Sequence, residues 1–225
     1  MLGRSVRFDQ CKVDQKETVT GKVYVYLYFT NKTKMESGKK STELSIIYLT
    51  GDNREVYLRD VLAGSSYMGQ EEYVPDNFWC RSGGLEIVID EYRVIFRSLD
   101  FYNLCKIVAF LLHALYKIKG RTSSWFDEES TDSVNVLTTG GHSLTVKIIS
   151  ENVSLSFLRN GVTSDNKVRG ERFFTDVILD KSEFYDATKT ALSEYFVMLE
   201  EIINDNPDDT TAATMKGFLG VWRAI

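Results

Sequence analysis

The stretch 85–118 reads LEIVIDEYRVIFRSLDFYNLCKIVAFLLHALYKI, and its periodicity changes once, near Ser98. Before that point two β-branched and aromatic runs, Leu85–Ile89 and Tyr92–Arg97, flank Asp90-Glu91. That is the pattern of a hairpin. After it, Phe101, Leu104, Val108, Leu111, Leu115 and Ile118 recur at three- and four-residue spacing, which marks a helix. Ile107, Phe110 and Leu112 fill the flanks, so this helix is expected to lie deep in a core. Ser98 or Asp100 offers an N-cap and Gly120 a C-terminal stop.

The same plan recurs further on. Strand-like runs at Val134–Thr138, Leu144–Ile149, Val153–Leu158 and Arg172–Leu179 precede a second helix, about Lys181 to Ile203. Gly140-Gly141 marks a turn, and Asn160-Gly161 is expected to end the third run. Phe184, Ala191, Leu192, Tyr195, Leu199 and Ile202 form the helix stripe, and Asp180 with Glu183 has the spacing of a capping box. Phe101-Tyr102 and Phe184-Tyr185 open the two helices, with Lys106 and Lys189 at the same offset. The expected class is α+β: mostly antiparallel sheet with two principal helices, each after a strand-rich stretch, as in a duplicated strands-then-helix unit. The expected organisation is a strand-rich half at 1–120, a second half at 134–204 and a tail at 205–225, or else one compact domain. The polar segment 121–133 is the candidate boundary. The tail carries Phe218, Leu219, Val221 and Trp222, as a docked helix or a partner-binding segment.

Upstream, residues 20–30 form the plainest strand. Val23, Val25, Leu27 and Phe29 point one way, Lys22, Tyr24, Tyr26 and Tyr28 the other. A lysine-rich segment, 31–40, leads to a further strand, Leu44–Thr50, ended by Gly51-Asp52-Asn53, so the two strands read as a hairpin with a long loop. Residues 54–62 read as a strand, or a strand running into a short helix. Residues 63–84 lack periodicity, which marks either a functional loop or an unrecognised element.

The chain has 225 residues, 43% hydrophobic and 26% charged, which is globular composition and excludes wholesale disorder. Cys11, Cys80 and Cys105 are odd in number and show no CxxC spacing, so reduced thiols in a cytoplasmic setting are expected, not a disulfide framework. The start of the chain shows no apolar signal-like run. The run Leu104–Leu115 falls short of the roughly 20 apolar residues a membrane span needs, so no membrane partner is expected. Net charge is −5, which argues against a generic basic nucleic-acid binder. The charge is uneven, however. Residues 1–50 hold nine Lys/Arg and five Asp/Glu, and residues 171–210 hold three and eleven. A basic front and an acidic rear suit self-association as a homo-oligomer or one charged binding face.

No P-loop, GxGxxG, HExxH, GxSxG, EF-hand or zinc-finger spacing is present, and no cofactor or metal is expected. His113 lies among Phe110, Leu111, Leu112 and Leu115 and reads as a core-edge histidine. His142, after Gly140-Gly141, is either an exposed turn residue or the base of a hydrolase-like site. Asp127, Glu128, Glu129 and Asp132 read as a solvated acidic loop or as hard oxygen ligands.

The most specific signal is the first hairpin. Tyr24, Tyr26 and Tyr28 make a ladder about 6.5–7 Å apart, with Lys22, Lys32, Lys34, Lys39 and Lys40 to hold phosphates. Stacking rings with cations is what single-stranded nucleic acid needs. The same tyrosines also suit packing under a helix or across a neighbouring strand. Strands followed by a helix, repeated, is similar in element order to the PUR, Whirly and related single-strand binders, and that resemblance implies a nucleic-acid partner. The expected function is therefore a non-enzymatic binding protein, with single-stranded nucleic acid as the first ligand. The alternative is an acidic inhibitor, immunity or assembly protein that binds a protein partner through Tyr67, Tyr73, Phe78, Trp79, Phe218 and Trp222. An enzyme using His142 is the third reading.

Overall fold

A computed structural model describes residues 41–89, 92–97, 104–126, 132–137, 143–162 and 168–225. The first strand, β1 (Thr42–Leu49), ends where Thr50 and Arg54 pair across a tight turn. Asn53 takes the left-handed conformation there, at φ 62°, which asparagine tolerates well. The chain returns as β2 (Glu55–Tyr57) and passes directly into α1 (Leu58–Leu62), a strand running into a short helix as the sequence suggests.

The segment 63–84 is where the structure adds most to the reading. It holds a 3-10 turn (Gln70–Tyr73) and α2 (Pro75–Cys80). Both are too short to show a helical period, and Pro75 opens α2 at the position where a missing N–H costs nothing. The strand β3 then begins at Gly83, two residues before the expected start. A Cβ on Gly83 would sit 2.4 Å from the Ile47 carbonyl and 2.7 Å from Leu104 Cδ1, so only glycine lets the backbones approach this closely.

β3 (Gly83–Ile89) and β4 (Tyr92–Arg97) form the expected hairpin, in register from Gly84↔Arg97 to Ile89↔Tyr92. The first sheet has the order β2-β1-β3-β4, with antiparallel pairing throughout. β3 flanks β1 from Thr42 to Tyr48, and β2 flanks its other edge over Ile47–Leu49. The expected partner strand at 20–30 lies outside the described residues.

The helix α3 (Leu104–Ile118) follows, and it is as deep as its composition demands. Leu104, Ile107, Val108, Leu111, Leu112, Ala114 and Leu115 have no exposed surface. Gly120, at φ 62°, ends it.

The second sheet, β5 (Ser133–Leu137), β6 (Ser143–Ile149), β7 (Asn152–Val162) and β8 (Val168–Asp180), is antiparallel in sequential order. One expectation is corrected: β7 does not end at Asn160-Gly161. Those residues pair with Gly170 and Arg169, and the hairpin continues to Val162↔Val168. A turn dipeptide is a local preference, and the backbone ladder overrides it.

Asp180 caps α4 (Lys181–Asp205), its carboxylate accepting from the Ser182 and Glu183 amides. Asp209 caps α5 (Thr210–Arg223) in the same way. The tail is thus a docked helix. It buries Ala212, Met215, Phe218 and Leu219, and the Tyr116 hydroxyl donates to the Val221 carbonyl at 2.8 Å. One continuous core runs through residues of both sheets and of α3, α4 and α5. The fold is α+β, and among the described elements a four-stranded antiparallel sheet precedes a helix twice. No helix among the described residues is long and apolar enough to cross a membrane.

Candidate functional site

The two sheets differ in what they expose. In the first sheet, Leu44, Ile46, Tyr48, Leu85 and Ile87 face the core, yet Ser45, Ile47 and Glu86, which alternate onto the opposite face, are buried as well. There Arg59 Nη1 donates to Ser45 Oγ at 2.8 Å and Tyr57 Oη to Glu86 Oε1 at 3.0 Å.

The second sheet is amphipathic. Val134, Leu144, Val146, Val153, Leu155, Phe157 and Leu179 are buried against the α3 and α4 side. The opposite face mixes polar residues with two exposed isoleucines. Asn135, Lys147, Ile149, Asp176 and Ile178 are exposed on it, with Thr145, Ser154 and Ser156 between them. Thr145 Oγ1 donates to Asn135 Oδ1 at 2.6 Å, and Lys147 Nζ lies 3.8 Å from the Asp132 carboxylate.

The β7–β8 hairpin shapes this face. Its eleven β7 residues pair with thirteen from β8. The surplus is taken up by two register shifts, between Leu155 and Phe157 and between Phe157 and Leu158. At the first, Asp176 has φ 54°, its amide donates to Ser156 Oγ at 2.9 Å and its carboxylate accepts from Ser154 Oγ at 3.3 Å. This is a β-bulge, which bends a strand and re-aims its side chains. Beyond Leu158, opposite Ser143 of β6, four further pairs extend the hairpin past the end of that strand.

The chemically densest buried point is Glu72, with 2% of its surface exposed. Its carboxylate accepts from Tyr48 Oη (2.5 Å), the Gly51 amide (2.6 Å), Arg81 Nη2 (2.9 Å) and Arg81 Nε (3.1 Å). Every acceptor site of the anion is thereby used, so this node reads as a clamp that ties the β1 turn to the α2–β3 junction. Burial, then the hydrogen bond to Glu72, pushes the Tyr48 phenol far above its ordinary range. Tyr48, Phe78 and Tyr195 stack in sequence, with centroids 5.6 and 5.0 Å apart.

The residues singled out in the sequence separate as follows. Lys22, Tyr24, Tyr26, Tyr28, Lys32, Lys34, Lys39 and Lys40 lie outside the described residues, as do His142, Asp127, Glu128, Glu129 and Cys11. His113 is half-buried at the core edge, its ring stacked on Phe126 at 4.6 Å. Of the six aromatics offered as a protein-binding face, Phe78 and Phe218 are core residues with no surface for a partner. Trp79 packs edge-on against Phe218, and Trp222 stacks on Phe196 at 5.0 Å. Tyr67 is half exposed, and Tyr73, partly buried like Trp79 and Trp222, stacks on it at 6.5 Å. The sequence reading missed Glu72 as a centre, since a lone glutamate in an acidic chain carries no signal. Among the described residues no group of three or more His, Cys, Asp or Glu is arranged to hold a metal.

No protein-family model matches this chain, and neither a curated protein nor a solved structure matches it.

Proposed function

We propose that this is a non-enzymatic binding protein whose ligand is single-stranded nucleic acid. The observation that carries the reading is the outward face of the second sheet, which no helix among the described residues covers, in a chain whose described elements twice set a four-stranded antiparallel sheet ahead of a helix. A sheet face without a covering helix gives a flat surface along which an extended strand can lie. As a feature separate from that sheet, the sequence of residues 22–40 offers Tyr24, Tyr26 and Tyr28 for stacking and Lys22, Lys32, Lys34, Lys39 and Lys40 for phosphate contacts. Element order alone does not establish a function, so oligonucleotide binding decides the reading.

With five lysines as the cationic set, the salt dependence should be moderate, at a slope in log K against log salt of about −0.7 per phosphate contacted. The test is fluorescence anisotropy of a labelled single-stranded oligonucleotide with the full chain. Binding at low salt, weakened by Tyr26→Ala at about 1–3 kcal/mol per lost stack, supports the reading. Absence of binding at low salt, or indifference to Tyr26→Ala and to Lys32→Ala/Lys34→Ala, sinks it.

A further inference from the structure

We propose that the face formed by α1, residues 66–74 and α4 docks a basic, lysine- or arginine-rich segment of a partner protein. It is a separate surface from the polar sheet, and its charge would repel a polyanion.

The surface is built from three stretches distant in sequence. On α4, Glu194, Val197, Glu201 and Asp205 follow one another at three- and four-residue spacing and share one stripe. Val197 is 47% exposed, between two glutamates. α1 packs beside α4 and brings Leu62, also exposed, with Arg59 and Asp60. Residues 66–74 are pinned to the end of α4 by Asn206, whose Nδ2 donates to the Tyr73 carbonyl at 3.2 Å and the Ile202 carbonyl at 2.9 Å. This sets Tyr73, with Tyr67 stacked on it, near Glu201.

Three features make the face a receptor for cations. First, among the described residues its carboxylates outnumber its cations. Arg59, the cation beside Glu194, already pairs with Asp60 at 3.7 Å. Second, Glu194 Oε2 is hidden from solvent and has no hydrogen-bond donor. An orphan carboxylate oxygen costs stability, and the charge left uncompensated there would be offset by an ammonium or guanidinium docking on the face above it. Burial, partly offset by Arg59, accordingly holds the Glu194 carboxyl above the usual range. Third, the last turn of α4 has no basic residue but carries Asp205. A helix C-terminus disfavours carboxylates, so the negative end of the helix adds to the field of the side chains instead of being neutralised. Local rules broken together at one place are expected where a surface serves a partner. The exposed Leu62, Tyr67, Val74 and Val197 give the aliphatic stems of such a segment something to lie on.

The experiment titrates the full chain into a short fluorescein-labelled peptide rich in lysine and leucine, with a glutamate–leucine peptide as control. The wild type should bind the first peptide only. Glu201→Lys should weaken binding about tenfold or more, and Tyr67→Ala measurably, with far-UV circular dichroism unchanged. Both sites are at the surface, so folding should survive. Affinity for a single-stranded oligonucleotide should stay the same or rise in Glu201→Lys, which separates this surface from the nucleic-acid face. No binding of the basic peptide at low salt, or equal binding by wild type and both variants, overturns the proposal. A dimer in light scattering that Glu201→Lys dissolves overturns it too, by assigning the face to a second copy of the chain.

Discussion

The Tyr48 hydroxyl donates to Glu72 Oε2 at 2.5 Å, and both residues are out of water. Tyr48 comes from the middle of a sheet and Glu72 from a turn 24 positions later, so the bond exists only in the assembled fold. Removing the charge leaves Arg81 and the Gly51 amide facing a poor acceptor. Glu72→Gln is expected to destabilise the protein by about 2–4 kcal/mol. Tyr48→Phe should cost about 1–2 kcal/mol, because Glu72 keeps its other three donors. Urea denaturation of the two variants and the double variant measures both values and their coupling. A loss under about 0.5 kcal/mol for Glu72→Gln would mean that the clamp is ornamental.

Stability should fall on the alkaline side. Burial raises the Tyr48 and Tyr195 phenols, and it raises the Cys105 thiol to about 11, with Cys80 adding a smaller push. Each folded-state pKa therefore lies above its unfolded value, near 9.0 for the thiol and 10.0 for the phenols. Below these values both states hold the protons and stability is flat. Above them the unfolded chain releases its protons first, and stability drops at up to about 1.4 kcal/mol per pH unit for each group. Thermal melts between pH 8 and 11, on the scale of those pKa values, should show Tm declining from about pH 9. The Tyr195 hydroxyl is buried without a partner, so Tyr195→Phe should leave neutral-pH stability equal or higher and flatten the alkaline slope. An unchanged slope in that variant would contradict the assignment.

The helix caps give a smaller, additive effect. Asp180 Oδ1 accepts from the Ser182 and Glu183 amides at 2.9 and 3.1 Å, and Asp209 Oδ1 from Thr211 and Ala212 at 2.7 and 3.2 Å. The caps lie about the length of α4 apart, some 1.5 Å per residue over 25 residues. Asp180→Ala and Asp209→Ala should each cost about 1 kcal/mol, the double variant their sum, and the Asn variants much less. Chemical denaturation checks all of these, and strong non-additivity would indicate coupling along α4.

Much of this fold was legible because it is written in local periodicity. The change of period near Ser98 separates the β3–β4 hairpin from α3, and Asp180 announces α4 by its cap. What escaped was either short or long-range. The turn Gln70–Tyr73 and α2 are too brief to repeat, so nothing local said that Phe78 points inward while Tyr67 points out. The apolar character of the tail was visible, but not that Phe218 is occupied by Trp79, Trp125 and Phe196. Candidate surfaces suffer most, since they depend on contacts between distant segments. The aromatic stretch 67–79 and the acidic stretch 171–210 were each conspicuous, yet only the folded chain joins them, through Asn206 reaching the Tyr73 carbonyl and Tyr195 stacking on Phe78.

The bulge at Asp176 tests whether β8 is shaped by its sequence or by its neighbours. A non-glycine residue at φ 54° inside a strand is uncommon, and aspartate is among those that tolerate it. Asp176→Gly removes the steric cost but also the weak 3.3 Å bond from Ser154, so stability should change by less than about 1 kcal/mol. Asp176→Val places a β-branched side chain in the same conformation and should cost about 2 kcal/mol or more. Ser156→Ala deprives the Asp176 amide of its acceptor at an exposed site where water can replace it, so its effect should be under about 1 kcal/mol. Hydrogen exchange along β8 would add the location: Asp176→Val should speed exchange on both sides of position 176, while Asp176→Gly should not. Because Asp176 is also a carboxylate on the proposed nucleic-acid face, Asp176→Gly should leave oligonucleotide binding equal or stronger. If Asp176→Val is as stable as the wild type, the strand does not need the left-handed residue and the two-for-one register against Ser156 is not what holds β8 in place.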